Sequence, residues 1–228
     1  MTYRNKRIEA VIFDLDGTLY HQSRLRILMI GYIVLAHMFR PKQLSRVIKI
    51  IKSFRIAHEE LRRANEPSNS SIQKIQLNIT KRYASASDDV IRAVLNDWFY
   101  RRPLPLLYIC RNRKMQQLVQ KLHSEKMKLG LYSDYPAQEK LAALQMAHYF
   151  SVITSSYDPD INRLKPDITG FQMTAQKLGV QPTNTIYIGD RLDVDGAGAK
   201  NAGMIFEHVN DITSLMNVGV TEDSNENK

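Results

Sequence analysis

Residues 8–13 read IEAVIF, a short run rich in β-branched residues that stops at the polar string DLDGT over 14–18. Such a run, bounded by polar residues and glycine, predicts a strand buried on both faces that ends in a loop. The pattern returns as MKLGLY (127–132), FSVIT (150–154), TIYI (185–188) and MIF (204–206). Between these runs, apolar residues recur three and four apart over 112–126, 137–148, 167–178 and 192–202, the spacing of helices with one buried face. Strand and helix in alternation predict an α/β fold with a parallel sheet covered by helices on both sides.

From Leu19 to about Tyr100 the rhythm breaks, and helical patterns run with no strand between them. This stretch is expected to be an all-helical insertion after the first strand. Its first segment, Ile27 to Phe39, is the most apolar window of the chain, but 13 residues span only about 20 Å against a bilayer core of about 30 Å. A transmembrane helix is therefore not expected. A second helix beginning at Pro41 puts Leu44, Val47, Ile48, Ile51, Phe54 and Leu61 on one face, with Arg46, Lys49, Lys52 and Arg55 mostly off it. The string EPSNSS (66–71) marks a linker between insertion helices, and Arg101-Arg102-Pro103-Leu104-Pro105 the return to the sheet. The expected division is a core of residues 1–19 and 104–220, a helical cap over 20–103 and a polar tail over 221–228. Arg101 and Arg102 fall at the hinge, within expected reach of a bound ligand.

At 228 residues, 43% apolar and 24% charged, the chain can bury a full core, which excludes a disordered tail or a polytopic membrane protein. Its 32 basic against 23 acidic residues give a net charge of +9. Between Arg24 and Arg63, ten Lys and Arg face only Glu59 and Glu60, so nearly all of that excess sits in the insertion. A solvated basic face is the bland reading; a weak contact with anionic membrane surfaces, or attraction of a phosphorylated ligand, is the functional one. Nucleic acid is not expected without a binding motif. The lone Cys110 can form no internal disulfide, and no apolar segment follows Arg4, Lys6 and Arg7 as in a secretory signal, so a cytoplasmic setting is expected. His21, His37 and His58 show no metal-like spacing and are expected to be surface or partly buried residues without a role.

Candidate chemistry lies at the polar ends of the strands. Asp14 and Asp16, two apart on extended chain, point the same way, and Gly17 allows a sharp turn after them. Ser133 and Asp134 follow the second run, just before Pro136 and a helix start, where amides can hold an anion. Lys165 precedes Pro166 and another helix, and Asp190, Asp193 and Asp195 follow the fourth run. In a parallel sheet these ends share one edge, where ligands bind. Carboxylates converging there call for a hard divalent cation, and all-oxygen donors favour Mg²⁺. For Ser133 a helix-cap hydroxyl, for Lys165 a surface lysine and for Asp195 a helix-start carboxylate remain the structural alternatives.

The ordered set DLDGT at 14–18, Ser133, Lys165, and Gly189-Asp190 with Asp195 five positions on resembles the haloacid dehalogenase (HAD) superfamily of aspartate-nucleophile phosphatases, in the subgroup with a helical, C1-type cap after the first motif. The resemblance implies a Rossmann-like three-layer core and a phosphomonoester hydrolase acting on a small phosphorylated metabolite. Asp14 would be the nucleophile and Asp16 the general acid and base. Mg²⁺ would be held by Asp14, Asp190 and the backbone carbonyl of Asp16. Ser133, Asp134 and Lys165 would bind the phosphate, and Asp195 would support the metal or Lys165. Asp134 stands where the family often has Asn, and Asp193 adds a charge beside the metal station. A sugar-phosphate mutase and a non-catalytic membrane-surface or phosphate-binding scaffold are the alternatives; Asp16 argues against dehalogenation and against a pure binder.

Overall fold

The computed structural model describes residues 1–64 and 70–217. The linker expected over 66–71 falls largely, and the polar tail over 221–228 wholly, outside the described residues.

A short hairpin, β1 (Thr2–Tyr3) and β2 (Lys6–Arg7), precedes the central strand β3 (Ala10–Phe13). With β4 (Lys128–Ser133), β5 (Val152–Ser155), β6 (Thr185–Gly189) and β7 (Ile205–His208) it forms a five-stranded sheet in the order β5-β4-β3-β6-β7. Every pairing is parallel, with Phe13 opposite Leu131 on one side and Ile188 on the other. Alternate residues of the apolar runs serve two cores. Val11, Phe13, Leu129, Leu131, Ile186 and Ile188 pack to one face, while Ala10, Ile12, Tyr132 and Tyr187 pack to the other. Burial on both faces is why these strands read as continuous apolar runs.

Helix α6 (Arg113–Ser124) contributes Met115, Leu118, Val119 and Leu122 to the first core, and its first turn is capped by Asn112, whose side chain accepts from the Met115 amide. Helix α8 (Ile168–Lys177), capped by Asp167, and α9 (Ala197–Asn201) cover the second. Helix α10 (Thr213–Asn217) closes the described chain. The expected helix over 137–148 is shorter: α7 covers Gln138–Ala143. Gln145 adopts a left-handed φ of 58°, the Met146 amide reaches Leu141 O and the Gln145 amide Ala142 O, a Schellman stop that packs buried Leu141 with buried Met146. Leu141, Leu144 and Ala147 keep a three-residue spacing across the stop, which hides it from the pattern.

The described residues of the insertion form helices and the turns between them. Helix α1 (Gln22–His37) leaves the sheet edge and α2 (Pro41–Ala64) returns. Helix α3 (Ile72–Ala84) and α4 (Asp88–Val94), prolonged by a π-helical turn over Leu95–Arg101, pack against α2. A further helix, α5 (Leu104–Cys110), to which no element was assigned from sequence, leads back to the core. The buried stripe of α2 is Val47, Ile50, Phe54, Ala57 and His58, not the expected face; Ile48 is 46% exposed and Leu44, Ile51 and Leu61 are half-buried. The helix has two apolar sides because one packs on its neighbours and the other borders a cavity. Among the described residues no helix is long and apolar enough to cross a membrane.

Candidate active site

The carboxyl ends of β3, β4 and β6 bring the expected residues to one rim. Asp14 follows β3 directly, its amide donating 2.8 Å to Ile188 O, and its side chain is buried. Asp14 Oδ1 accepts from Lys165 Nζ at 2.6 Å and Oδ2 from the Thr18 hydroxyl at 3.1 Å. The same Lys165 ammonium reaches Asp195 Oδ1 at 3.0 Å, and with 1% of its surface exposed it faces the Tyr132 and Tyr187 rings at 5.0 and 5.3 Å. Asp195 Oδ2 accepts from the Arg191 amide at 3.1 Å, so both of its oxygens are already engaged.

Oxygens of Asp14, Asp190 and Asp195 lie within 4.8 Å of one another. Three carboxylates so close share one ammonium. Burial, against the opposing charge of Lys165 and with the help of Asp195 and Asp190, holds the Asp14 carboxyl well above the usual carboxylate range. Burial and the Asp195 charge push Asp190 up to about 6. A cluster that retains this much unbalanced negative potential beside a buried lysine, with hard oxygen donors only, fits a divalent cation such as Mg²⁺. Gly17 makes the approach possible: at φ 102° it lies so close to Asp190 that an added Cβ would stand 2.1 Å from Oδ2.

The Asp16 carboxylate stands outside this cluster. Lys140 of α7 donates to both of its oxygens at 2.6 and 2.8 Å, and the Tyr20 hydroxyl donates to Oδ1. Neither partner was singled out from sequence. Ser133, the last residue of β4, is buried, and its hydroxyl oxygen accepts from the Tyr135 amide at 3.3 Å. Asp193 is exposed and paired to Arg191 at 2.7 Å, away from the cluster.

Three expectations meet further detail. The Asp134 side chain lines the same cavity and is engaged by its neighbours: it accepts from Arg62 of α2 at 2.5 Å, from the Ser156 hydroxyl and from the Lys165 amide, with His58 Nε2 at 3.5 Å. Burial alone would raise it, but the hydrogen bond and charge of His58, with Lys165 and Arg62, hold it well below the usual range. His58 is buried rather than at the surface, stacked on Tyr135 with ring centroids 4.7 Å apart. Arg102 is bound to Asp97 and Tyr32 and lies over Trp98, and neither it nor Arg101 lines the cavity. Arg62 also donates to Lys165 O at 3.1 Å and to Glu59, which Arg191 meets at 3.2 Å. The end of α2 is thus latched across the rim by residues far from any motif.

A cavity of about 1090 Å³ opens from this rim beneath the insertion. A family model for haloacid dehalogenase-like hydrolases matches residues 8–203. The chain is similar to a glyceraldehyde 3-phosphate phosphatase of Methanopyrus kandleri, 27% identical over 211 residues that cover 87% of this chain and 82% of that protein. A protein of the same description from Methanocaldococcus jannaschii is 26% identical over 210 residues, covering 87% and 83%. Crystal structures of a HAD phosphatase from Thermococcus onnurineus and a 2-haloacid dehalogenase from Pseudomonas syringae have the same fold, with TM-scores of 0.55 and 0.60, identities of 21% and 20%, and 87% of this chain and 85% of theirs covered.

Proposed function

The chain belongs to the haloacid dehalogenase-like hydrolases, and from that premise we propose that it is a Mg²⁺-dependent phosphomonoester hydrolase working through an aspartyl-phosphate. The observation that carries the reading is the convergence of Asp14, Asp190 and Lys165 at one rim, with Asp16 held beside them by Lys140 and Tyr20. The phosphatase names of the relatives support it.

In this reading an Asp14 oxygen attacks phosphorus and the bond to the ester oxygen breaks, while Asp16 supplies the proton to the departing alcohol. Water then attacks the aspartyl-phosphate as Asp16 takes its proton, orthophosphate leaves and Asp14 is restored. Lys140 and Tyr20 orient the ionised Asp16 that takes the proton from water. Lys165 holds the Asp14 carboxylate and, with Ser133, binds phosphoryl oxygens; Asp195 fixes Lys165. Asp14, Asp190 and the Asp16 carbonyl would hold Mg²⁺, which when bound screens the nucleophile from the phosphate dianion. Asp134, whose side chain also serves the α2 latch, borders the phosphate beside Ser133 and Lys165. The described residues of 1–19 and 104–220 form the catalytic core, and those of 20–103 the cap that chooses substrate.

The test is orthophosphate release from p-nitrophenyl phosphate and a panel of phosphorylated metabolites, with and without Mg²⁺. Release that needs the cation is expected; none with any divalent metal overturns the reading. Gly17→Ala is expected to raise the Mg²⁺ concentration for half-maximal activity about tenfold or more, since the new methyl must displace the Asp190 carboxylate. An unchanged Mg²⁺ titration would show that Gly17 does not set that distance.

Helix α1 exposes Ile27 and Leu35, the turn after it exposes Phe39 at 88%, and the exposed residues of the following α2 include Lys42, Arg46, Lys49 and Lys52. An apolar face flanked by cations suits an anionic membrane surface, where each basic residue is worth about 1 kcal/mol. The protein is expected to sediment with phosphatidylserine vesicles at low salt and to be released at high salt. Leu35→Asp should weaken the binding, and failure to sediment at low salt rules the contact out. A cytoplasmic setting suits the buried, unpaired Cys110.

A further inference from the structure

The cavity is larger than the ~300–1,000 Å³ of ordinary ligand pockets, and its walls change character along its length. One end is the rim of Asp14, Asp16, Lys165 and Asp190. From there it runs between α1 and α2. On α1 the lining residues Leu25, Arg26, Met29, Ile30 and Ile33 follow Gln22 at helical spacing; on α2, Ile48, Ile51, Lys52, Arg55 and Ile56 precede Glu59 in the same way. Helix α1 leaves the rim and α2 returns to it at Arg62, so the two stripes run antiparallel. Gln22 and Glu59 are the polar, rim-side ends of the two stripes, and Ile33 and Ile48 are their apolar, far ends. Twelve residues on each helix, a rise of eleven steps, carry the channel roughly 16 Å from the site.

The far part of the channel offers a solute almost nothing to hydrogen-bond. Leu25, Met29, Ile33 and Leu107 are nearly fully buried, and Leu104 and Trp98 complete that wall. Hydroxyls of a sugar lodged there would lose water without replacement, at a cost of about 1–3 kcal/mol each. Ile30, 61% exposed, lines the open side of the cavity, as do the partly exposed Ile48 and Ile56 of α2. Arg26, Lys52 and Arg55 stand between the wet and dry zones, and no ion pair joins any of them to a carboxylate among the described residues.

Resting on the phosphatase reading above, we infer that the substrate is an amphiphile, a phosphomonoester whose phosphate lies at Asp14 and whose long hydrocarbon chain lies in the channel between α1 and α2. A three-carbon phosphate would leave that channel unused. Acyl-glycerol phosphates and isoprenoid monophosphates share this chemistry, and separate substrates distinguish them.

The experiment measures kcat/KM for orthophosphate release from ethyl, butyl, hexyl, octyl and decyl phosphate with Mg²⁺, each below its micelle concentration. At ~0.8 kcal/mol per buried methylene, kcat/KM should climb about fourfold per carbon until the channel is filled. Met29→Asp in the buried wall, and Ile30→Asp at the tolerant opening, should collapse the octyl-to-ethyl ratio, which does not depend on the fraction of folded enzyme. A 1-acyl-glycerol 3-phosphate and geranyl phosphate then show which source is preferred, and either preference supports the inference. A flat series with ethyl and p-nitrophenyl phosphate still hydrolysed overturns the chain-binding inference and leaves the phosphatase standing. No release from any phosphomonoester overturns both.

Discussion

Asp14→Asn is expected to lower kcat for p-nitrophenyl phosphate by on the order of 10⁴-fold or more, the size of loss seen when the nucleophile of a covalent mechanism is removed. The amide keeps the shape of the side chain and an oxygen to accept from Lys165 Nζ, now 2.6 Å away, but cannot form the acyl-phosphate. The expected stability change runs the other way. Burial holds the Asp14 carboxyl well above its ordinary range, so the folded state takes up a proton more readily than the unfolded chain. Stability from this group is therefore full at low pH and falls as pH rises from the unfolded toward the folded pKa, and at neutral pH the ionised carboxylate weakens the fold. Replacing it with a neutral amide should leave Tm unchanged or higher when no divalent cation is added. A variant that is both inactive and less stable would point to a structural loss, and one that keeps more than about a hundredth of wild-type kcat would remove Asp14 from the covalent step.

Both results turn on a cluster that was visible as polar interruptions in apolar runs. DLDGT after IEAVIF, Ser133 after MKLGLY and Gly189-Asp190 after TIYI each mark the place where a buried strand meets solvent. Parallel pairing then puts those places at one edge, as the register of Phe13 with Leu131 and Ile188 shows. The sheet was legible because strands buried on both faces have no polar side to blur the pattern. Helix α7 was overread because Leu141, Leu144 and Ala147 keep a three-residue spacing through a left-handed turn at Gln145.

What sequence reading missed are residues that meet only through tertiary geometry. Lys140 lies 124 positions from Asp16, and Arg62 lies 72 from Asp134, yet each pair is in direct contact. Such residues look like ordinary surface charges on amphipathic helices. The spacing of His58 and Arg62, one turn apart on α2, was a usable signal, because it places both on the face that returns to the core. The same holds for Arg55, Ile51 and Ile48, which form a second stripe beside the buried one. A helix with two apolar sides separated by cations packs on one and offers the other. Reading α2 as a single-faced helix hid the channel wall.

Lys165→Met is expected to cost about 3–5 kcal/mol of stability, because it leaves Asp14 and Asp195 buried together without their shared counter-ion. For a chain of this size, at about 2–4 °C per kcal/mol, that corresponds to a fall in Tm of roughly 6–20 °C. The sign follows from the lysine itself: burial would lower its pKa, but the charges of Asp14 and Asp195 raise it well above the ordinary range. A group raised on folding stabilises in full below its unfolded pKa of about 10.4, so the loss appears across neutral pH and shrinks only as pH climbs through the folded value. Activity should fall by about 10²–10³-fold, the usual cost of deleting one positioned charge at a developing anion. Two further measurements separate electrostatics from packing. Added Mg²⁺ should stabilise Lys165→Met more than wild type, the variant gaining about 2.7 kcal/mol at a hundredfold excess over its Kd, because the acid cluster has lost its competing ammonium. Adding Asp195→Asn to Lys165→Met should return part of the lost stability by removing one of the unpaired charges. If Tm does not move in the single variant, the Asp14, Lys165 and Asp195 triad is not what balances charge at this rim.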